Sequence, residues 1–248
     1  MKFDNRLIFV LVAAIGIYAI FLFLSDFSII LEKISNFKIN YLPLILLLVS
    51  ASWVPLIIKW HFLLKNSEIN IPLTKSIAVF FSGSAFEITP GQIGILIKSQ
   101  LLKTSSNISR TKTVPIVIIE KIYDLIGAIL ASVIGIIILG MEFYLIIIAI
   151  SSLVVIFFFM YHKPASELFF DRITKLKFFS KYVENISEFN EVIKKSTNAK
   201  VATICILLAL TYWFMVSAAA YYTLIAFDVN ILDYLKVLAI YTTSSLLG

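Results

Sequence analysis

The sequence predicts an all-α, polytopic integral membrane protein, and three observations predict it. Apolar residues make up 60% of the 248-residue chain, and charged residues only 15%, against about 25% in ordinary soluble domains. The mean hydropathy is +0.97. Long apolar runs recur along the chain, several close to the roughly 20 residues that a membrane helix needs. A soluble fold of this size leaves about a quarter of its unfolded-chain surface exposed, so it could not hide this much apolar area. A soluble globular enzyme, a disordered chain and a disulfide-rich secreted domain are thereby excluded. Cys205 stands alone and cannot form an intrachain disulfide. Two histidines, His61 and His162, are too few to build a histidine metal site. The formal charge of +6 bears on orientation and lipid contact, and no nucleic-acid partner is expected.

Five spans are expected, in chain order. Residues 7–24 form an uninterrupted apolar run, too long for a signal-peptide core. Residues 41–58 are the second span, with Pro43 near its start and Pro55 as a kink. Trp53, Trp60 and His61 suit an interfacial exit. Residues 114–139 and 143–161 are the third and fourth, joined by a short turn at 140–142, and residues 201–227 are the fifth. The last run, 235–248, is too short to cross.

Residues 77–102 do not fit a simple span. They carry Glu87 and then Thr89-Pro90-Gly91 at their middle. Proline removes a backbone donor and disfavours helix before it, and glycine adds freedom, so this is a break. Basic residues indicate how the segment runs. If it re-enters and leaves on the side it entered, 17 Lys and Arg residues fall on one face and 3 on the other, with Lys121 inside a span. A full crossing would instead set the basic 161–200 loop opposite the basic N-terminal loops. The positive-inside rule favours the re-entrant reading, with the N-terminus and 161–200 cytoplasmic. A distorted full span is the competing description. Irregular backbone at membrane depth requires protein or a water-filled cavity around it.

A shift of 161 residues exposes an internal echo. Lys75, Ala78 and Ser84 recur as Lys236, Ala239 and Ser245, and Phe80 matches Tyr241. The first copy is approached from the basic face and the second from the opposite face, the plan of an inverted repeat with broken helices meeting near the midplane. The counterparts of Pro90 and Gly91 would fall beyond Gly248, so the natural chain is expected to continue. Residues 1–248 are read as one transmembrane domain.

Several charges lie where apolar residues are expected. Glu120 and Asp124 are four residues apart, hence on one helical face, and Lys121 is beside them. Each carboxylate at the bilayer centre costs about 2.5–3.5 kcal/mol on insertion scales. Two readings stand: a polar site inside the bundle, or charges near headgroup level with the lysine snorkelling. Around the break, Ser82, Gly83 and Ser84 precede Glu87, and Lys98 follows. Small residues there serve helix packing. Alternatively the region is a lipid-headgroup site, with carboxylates for a cation, and a lysine and free backbone donors for phosphate.

Residues 161–200 form the one sizeable polar stretch, with eight basic and five acidic residues. Phe169, Ile173, Leu176, Phe179, Val183 and Ile186 recur at helical spacing, with Arg172, Lys175, Lys177 and Lys181 between them. This is either an amphipathic connector lying on an anionic leaflet or a solvated helical link. No P-loop, GxSxG, HExxH or CxxC occurs. No catalytic residue, metal site or cofactor is expected.

Residues 85–102, Ala-Phe-Glu-Ile-Thr-Pro-Gly-Gln-Ile-Gly-Ile-Leu-Ile-Lys-Ser-Gln-Leu-Leu, and 118–124, Ile-Ile-Glu-Lys-Ile-Tyr-Asp, together resemble the lysylphosphatidylglycerol synthase transmembrane family, also called the flippase-like domain family. Its members show a Pro-Gly-x-x-Gly break, a basic residue, a leucine pair, and a Glu-basic-x-x-Asp span. Here these look like Pro90, Gly91, Gly94, Lys98, Leu101, Leu102, Glu120, Lys121 and Asp124. Gln92 stands where the family often has Gly, and Ile95 where it often has Glu. The resemblance implies lipid handling: translocation between leaflets or headgroup binding, without the soluble domain that makes aminoacylated lipid. The headgroup residues so expected are Glu87, Thr89, Pro90, Gly91, Gly94, Lys98, Glu120, Lys121 and Asp124. Membrane lipids with a phospholipid or polyprenyl-linked headgroup are the expected partners, alongside a partner synthase or glycosyltransferase. The alternative is a membrane-embedded glycosyltransferase, or an accessory protein acting on polyprenyl-linked sugars.

Overall fold

The computed structural model of the protein describes residues 31–32, 34–86, 96–139, 143–161, 185–229 and 232–247, with four isolated positions besides. The expected span 7–24, the 140–142 turn and nearly all of the 169–183 amphipathic pattern lie outside the described residues. So do Glu87, Thr89, Pro90, Gly91 and Gly94. Among the described residues the elements are helical and no strand occurs: α1 (Leu42–Asn66), α2 (Leu73–Ser84), α3 (Ile97–Ser106), α4 (Arg110–Leu139), α5 (Phe143–Tyr161), α6 (Ile186–Ser196), α7 (Ala199–Ala226) and α8 (Tyr234–Leu247).

Helix α1 begins with Pro43 in its first turn, where a missing N–H leaves no bond unmade. It runs eight residues past the expected end at 58. With the short 3-10 turn before it, and like α7, it is long and apolar enough to cross a membrane. These two helices pack against each other more extensively than any other described pair, and they are antiparallel. Phe37, before α1, meets Phe227, after α7, at 4.9 Å between ring centroids. Lys38 Nζ lies 2.8 Å from Asp228 Oδ1. At the other end, Asn66 donates to the Lys195 carbonyl at 3.0 Å, just ahead of α7.

The broken segment folds as a hairpin. Helix α2 ends at Ser84 and α3 starts at Ile97. Lys75, near the start of α2, donates to the Ser105 carbonyl at the end of α3. Gly83, at the end of α2, faces the Lys98 side chain at the start of α3. With 12 and 10 residues, the arms reach only about 18 and 15 Å at 1.5 Å per residue. Neither crosses a hydrocarbon core of about 30 Å. The two described arms therefore lie side by side, with Lys75 and Ser105 at one end and Gly83 and Lys98 at the other, the arrangement that the basic-residue distribution favours.

The repeat is also present in three dimensions. Helix α8 starts 161 residues after α2. Both α1 and α7 end in the same hydrogen-bonded cap: Ile69 donates to the Leu64 carbonyl at 3.0 Å and Val229 to the Leu224 carbonyl at 2.9 Å. Glu68 and Asp228 take the left-handed position in these caps, at φ 61° and 62°. Trp53 in mid-α1 contacts Phe80 of α2 at 6.2 Å, and Trp213 in mid-α7 contacts Tyr241 of α8 at 6.4 Å. Phe80 and Tyr241 are the residues that the 161-residue shift equates. Because α1 and α7 are antiparallel, α2 and α8 enter from opposite faces and end at mid-height.

Helix α4 is the axis of the bundle and packs on α8, α7, α6, α3, α5 and α1. Its glycines allow this. A Cβ on Gly127 would collide with Ala209 of α7, and one on Gly135 with Ala239 of α8, side chain and backbone alike. Close approach of this kind drives helix association where water exclusion does not. At the α6 end, Tyr123 Oη donates to the Ser196 carbonyl at 2.7 Å. Phe189, Val192 and Ile193 of α6 are buried in the same core cluster as Val114, Val117 and Tyr123 of α4.

Candidate functional site

Lys98 projects from the first turn of α3 and is fully buried. Its ammonium donates to both carboxylate oxygens of Glu120, each at 3.0 Å. Two aromatic rings complete the enclosure, Phe80 at 4.5 Å and Trp60 at 5.1 Å from Nζ. The ring faces offer the cation negative quadrupole where water is absent. Gly83 is required here, since a Cβ would occupy the space of the Lys98 side-chain stem. Glycine in α2 thus allows lysine in α3 to reach the carboxylate on α4.

One turn along α4, Asp124 pairs with Lys59 of α1. Lys59 is fully buried, whereas the Asp124 side chain is 19% exposed. Trp213 Nε1 donates to the Asp124 backbone carbonyl at 3.2 Å. Trp213 is near the centre of the 28-residue α7, roughly 20 Å from its start at 1.5 Å per residue. Asp124 is therefore level with the middle of α7, and Glu120 is one turn nearer the α6 end. They are tolerated at that depth because each has a lysine partner.

Asp124 and Lys121 open onto a cavity of about 650 Å³, and the buried Glu120 forms part of its wall. Trp53 of α1 and Trp213 of α7 stand in its walls, and Ser84 and Ser245, matched by the repeat, line it from α2 and α8. Cavities of this size suit small molecules and headgroups. Of the residues expected at a headgroup site, Glu120, Lys121 and Asp124 line this space. Lys98 does not: it is turned inward onto Glu120. Trp53 and Trp60, expected at an interfacial exit, both face the interior of the bundle. Trp53 lines the cavity, and Trp60 is buried over Lys98.

Lys59 was not anticipated. A hydropathy scan ends at the first charge after an apolar run, so Lys59 reads as the stop after 41–58. The signal was the surplus of two acids on α4 over the one lysine, Lys98, considered for them. Among the described residues, no group of three His, Cys, Asp or Glu side chains is placed to share a metal.

The bundle is thus an all-α membrane domain with a charged cavity between inverted halves. The chain matches the family model for the lysylphosphatidylglycerol synthase TM region over residues 10–248, and it belongs to that family. No curated protein and no solved structure matches it. Family membership ties the chain to membrane-lipid function.

Proposed function

We propose that this protein binds the polar headgroup of a membrane lipid in the α1–α4–α7 cavity and passes the lipid between leaflets. The observation that carries the reading is a cavity at mid-height of membrane-spanning helices, lined by the partly exposed carboxylate of Asp124 and by Lys121, with the Lys98–Glu120 pair sealed in its wall. A headgroup cannot cross hydrocarbon unaided, because desolvating an ion or several hydroxyls costs many kcal/mol. A polar cavity at that depth replaces part of the lost hydration. Arms α2 and α8, which enter from opposite faces, bring Ser84 and Ser245 to its wall, and paired arms of this kind give transporters a means of alternating access. Asp124 is suited to a cationic or hydroxyl-rich headgroup, and Lys121 to a phosphate. Lys98 serves by fixing Glu120.

The α6 end of the bundle is assigned to the cytoplasm by its excess of basic residues. Cysteines placed at Asn66 and Thr104 should label from the inside and one at Phe37 from the outside. Native Cys205 is buried and gives little background. The functional test is reconstitution into vesicles with a panel of labelled phospholipids and polyprenyl phosphates. Accelerated leaflet exchange of at least one lipid is expected, with Asp124→Asn slowing it about tenfold or more, equivalent to ~1.4 kcal/mol. Exchange at the protein-free rate for every lipid tested would refute translocation.

A further inference from the structure

A second concavity lies beside the polar cavity. It has a volume of about 610 Å³ and lies between α4, α5 and α8. Leu125 and Leu246 belong to the walls of both spaces. Its surface is almost wholly apolar. Ile129 and Ile136 of α4 form a buried floor, and Ile148 and Val155 of α5 form an exposed rim. The serine hydroxyls in it are already engaged: Ser132 donates to the Ala128 carbonyl, and Ser151 and Ser152 to that of Ile148, at 2.8–2.9 Å. These serines therefore offer a ligand small size and no free donor.

We propose that this groove holds one hydrocarbon chain of the same lipid whose headgroup occupies the polar cavity. The inference rests on the headgroup reading above and extends it. Two features select this occupant over a protein segment. The groove is continuous with the polar cavity through a shared leucine wall, the arrangement that an amphipathic molecule with one polar and one apolar end requires. Its length also fits: Leu125 to Ile136 spans about 16 Å along α4, close to half of a ~30 Å hydrocarbon core. It starts beside Asp124 at mid-height and runs away from the α6 end. A chain seated here keeps a lipid in register while its headgroup is out of both interfaces. Small residues on α5, Ala149, Ser151 and Ser152, leave the room that larger side chains would fill.

The test uses the full chain in dioleoylphosphatidylcholine vesicles with phosphatidylglycerol carrying a diazirine on one acyl chain. Photolabelled sites are mapped by mass spectrometry, and lipid retained through purification is measured separately. Labelling of the α4–α5 groove should exceed that of Leu46 and Leu47, on the exposed face of α1, by roughly tenfold, the factor that ~1.4 kcal/mol of preferential binding gives. Asp124→Asn should reduce groove labelling to the α1 level, and so should Ser152→Trp, which fills the groove. If Asp124→Asn fails to fold, Lys59→Gln/Asp124→Asn removes the charge pair together. Equal labelling of groove and α1 would overturn the proposal, and the headgroup reading would survive if the cavity variant still lost retained lipid. Groove labelling that persists in both cavity variants would also overturn it, because the chain would then be held without its headgroup. Unchanged lipid retention and exchange in the cavity variants would instead sink the headgroup reading.

Discussion

Glu120 and Asp124 are one turn apart on the same helix, each paired with a lysine from another helix, yet their surroundings differ. The Lys98–Glu120 pair is sealed, with side-chain exposures of 0% and 2%, beneath the rings of Phe80 and Trp60. In the Lys59–Asp124 pair the lysine is sealed but the carboxylate reaches the cavity. The first pair joins the re-entrant hairpin to the central helix. The second keeps a charge available at mid-height. A carboxylate becomes structural or functional here according to how much water reaches it, and four residues along a helix suffice to change that.

The comparison predicts unequal penalties. The largest belongs to Lys98→Met, which leaves Glu120 ionised, buried and unpaired, a situation that costs about 3–5 kcal/mol. Thermal unfolding in detergent should show it, and Lys98→Met/Glu120→Leu should recover most of the loss. If Lys98→Met melted like the wild type, the sealed pair would not be holding the hairpin. Next comes Lys59→Met. Asp124 then turns to cavity water, so the expected cost is the loss of one charged hydrogen bond, about 1.5–3 kcal/mol. Lipid exchange should fall more for this variant than its stability does. A penalty equal to that of Lys98→Met would erase the distinction between the two pairs.

Gly83→Ala tests the sealed pair without touching its charges. The added methyl must displace the Lys98 stem, an overpacking that costs about 1–3 kcal/mol. Combining it with Lys98→Met should give less than the sum of the two losses, since both act on one contact. Additive losses would mean that Gly83 serves some other neighbour. The smallest effect is expected at the surface. The Lys195 ammonium, 2.8 Å from Glu68, holds the Glu68 carboxyl below its usual range. A carboxyl lowered in this way stabilises the fold above its unfolded-state value and loses that contribution as pH falls through the folded value. The pair is exposed and screened, so Glu68→Gln should leave the melting temperature at pH 7 unchanged within error. It should also flatten only slightly the decline in stability below about pH 4. A large shift there would show that the α6 end depends on charge as much as the interior does.

Part of this arrangement was legible before any packing was known. The Pro90-Gly91 break and the basic-residue asymmetry together favoured a hairpin over a distorted full span, because proline and glycine weaken a helix at that point and re-entry gathers the lysines on one face. The echo of residues 75–86 at 236–247 suggested two related arms. Glu120 and Asp124 pointed by their cost to a polar interior or to charges at headgroup level, and the chain alone did not choose between them. Lys98, in contrast, was expected to meet a headgroup and instead meets Glu120. Spacing along the chain records that residues share a face, but not which partner lies across from them.

Composition and apolar run length by themselves determined that the chain is an all-α membrane domain, and charge order favoured a re-entrant element within it, since these follow from what hydrocarbon excludes and what a helix must satisfy. The tertiary structure decided which ion pairs form, and through them which carboxylate meets water. Lys59 looked like the end of a span because a charge after an apolar run ordinarily stops at the interface. It is buried because α1 continues to Asn66 and brings it to Asp124, a residue 65 positions away. The depth of the site, the use of Gly83 as clearance for Lys98 and the shared wall between polar and apolar cavities have the same origin. Each depends on helices distant in sequence crossing at one height, and crossing geometry is set by side-chain packing between elements rather than by periodicity within any one of them.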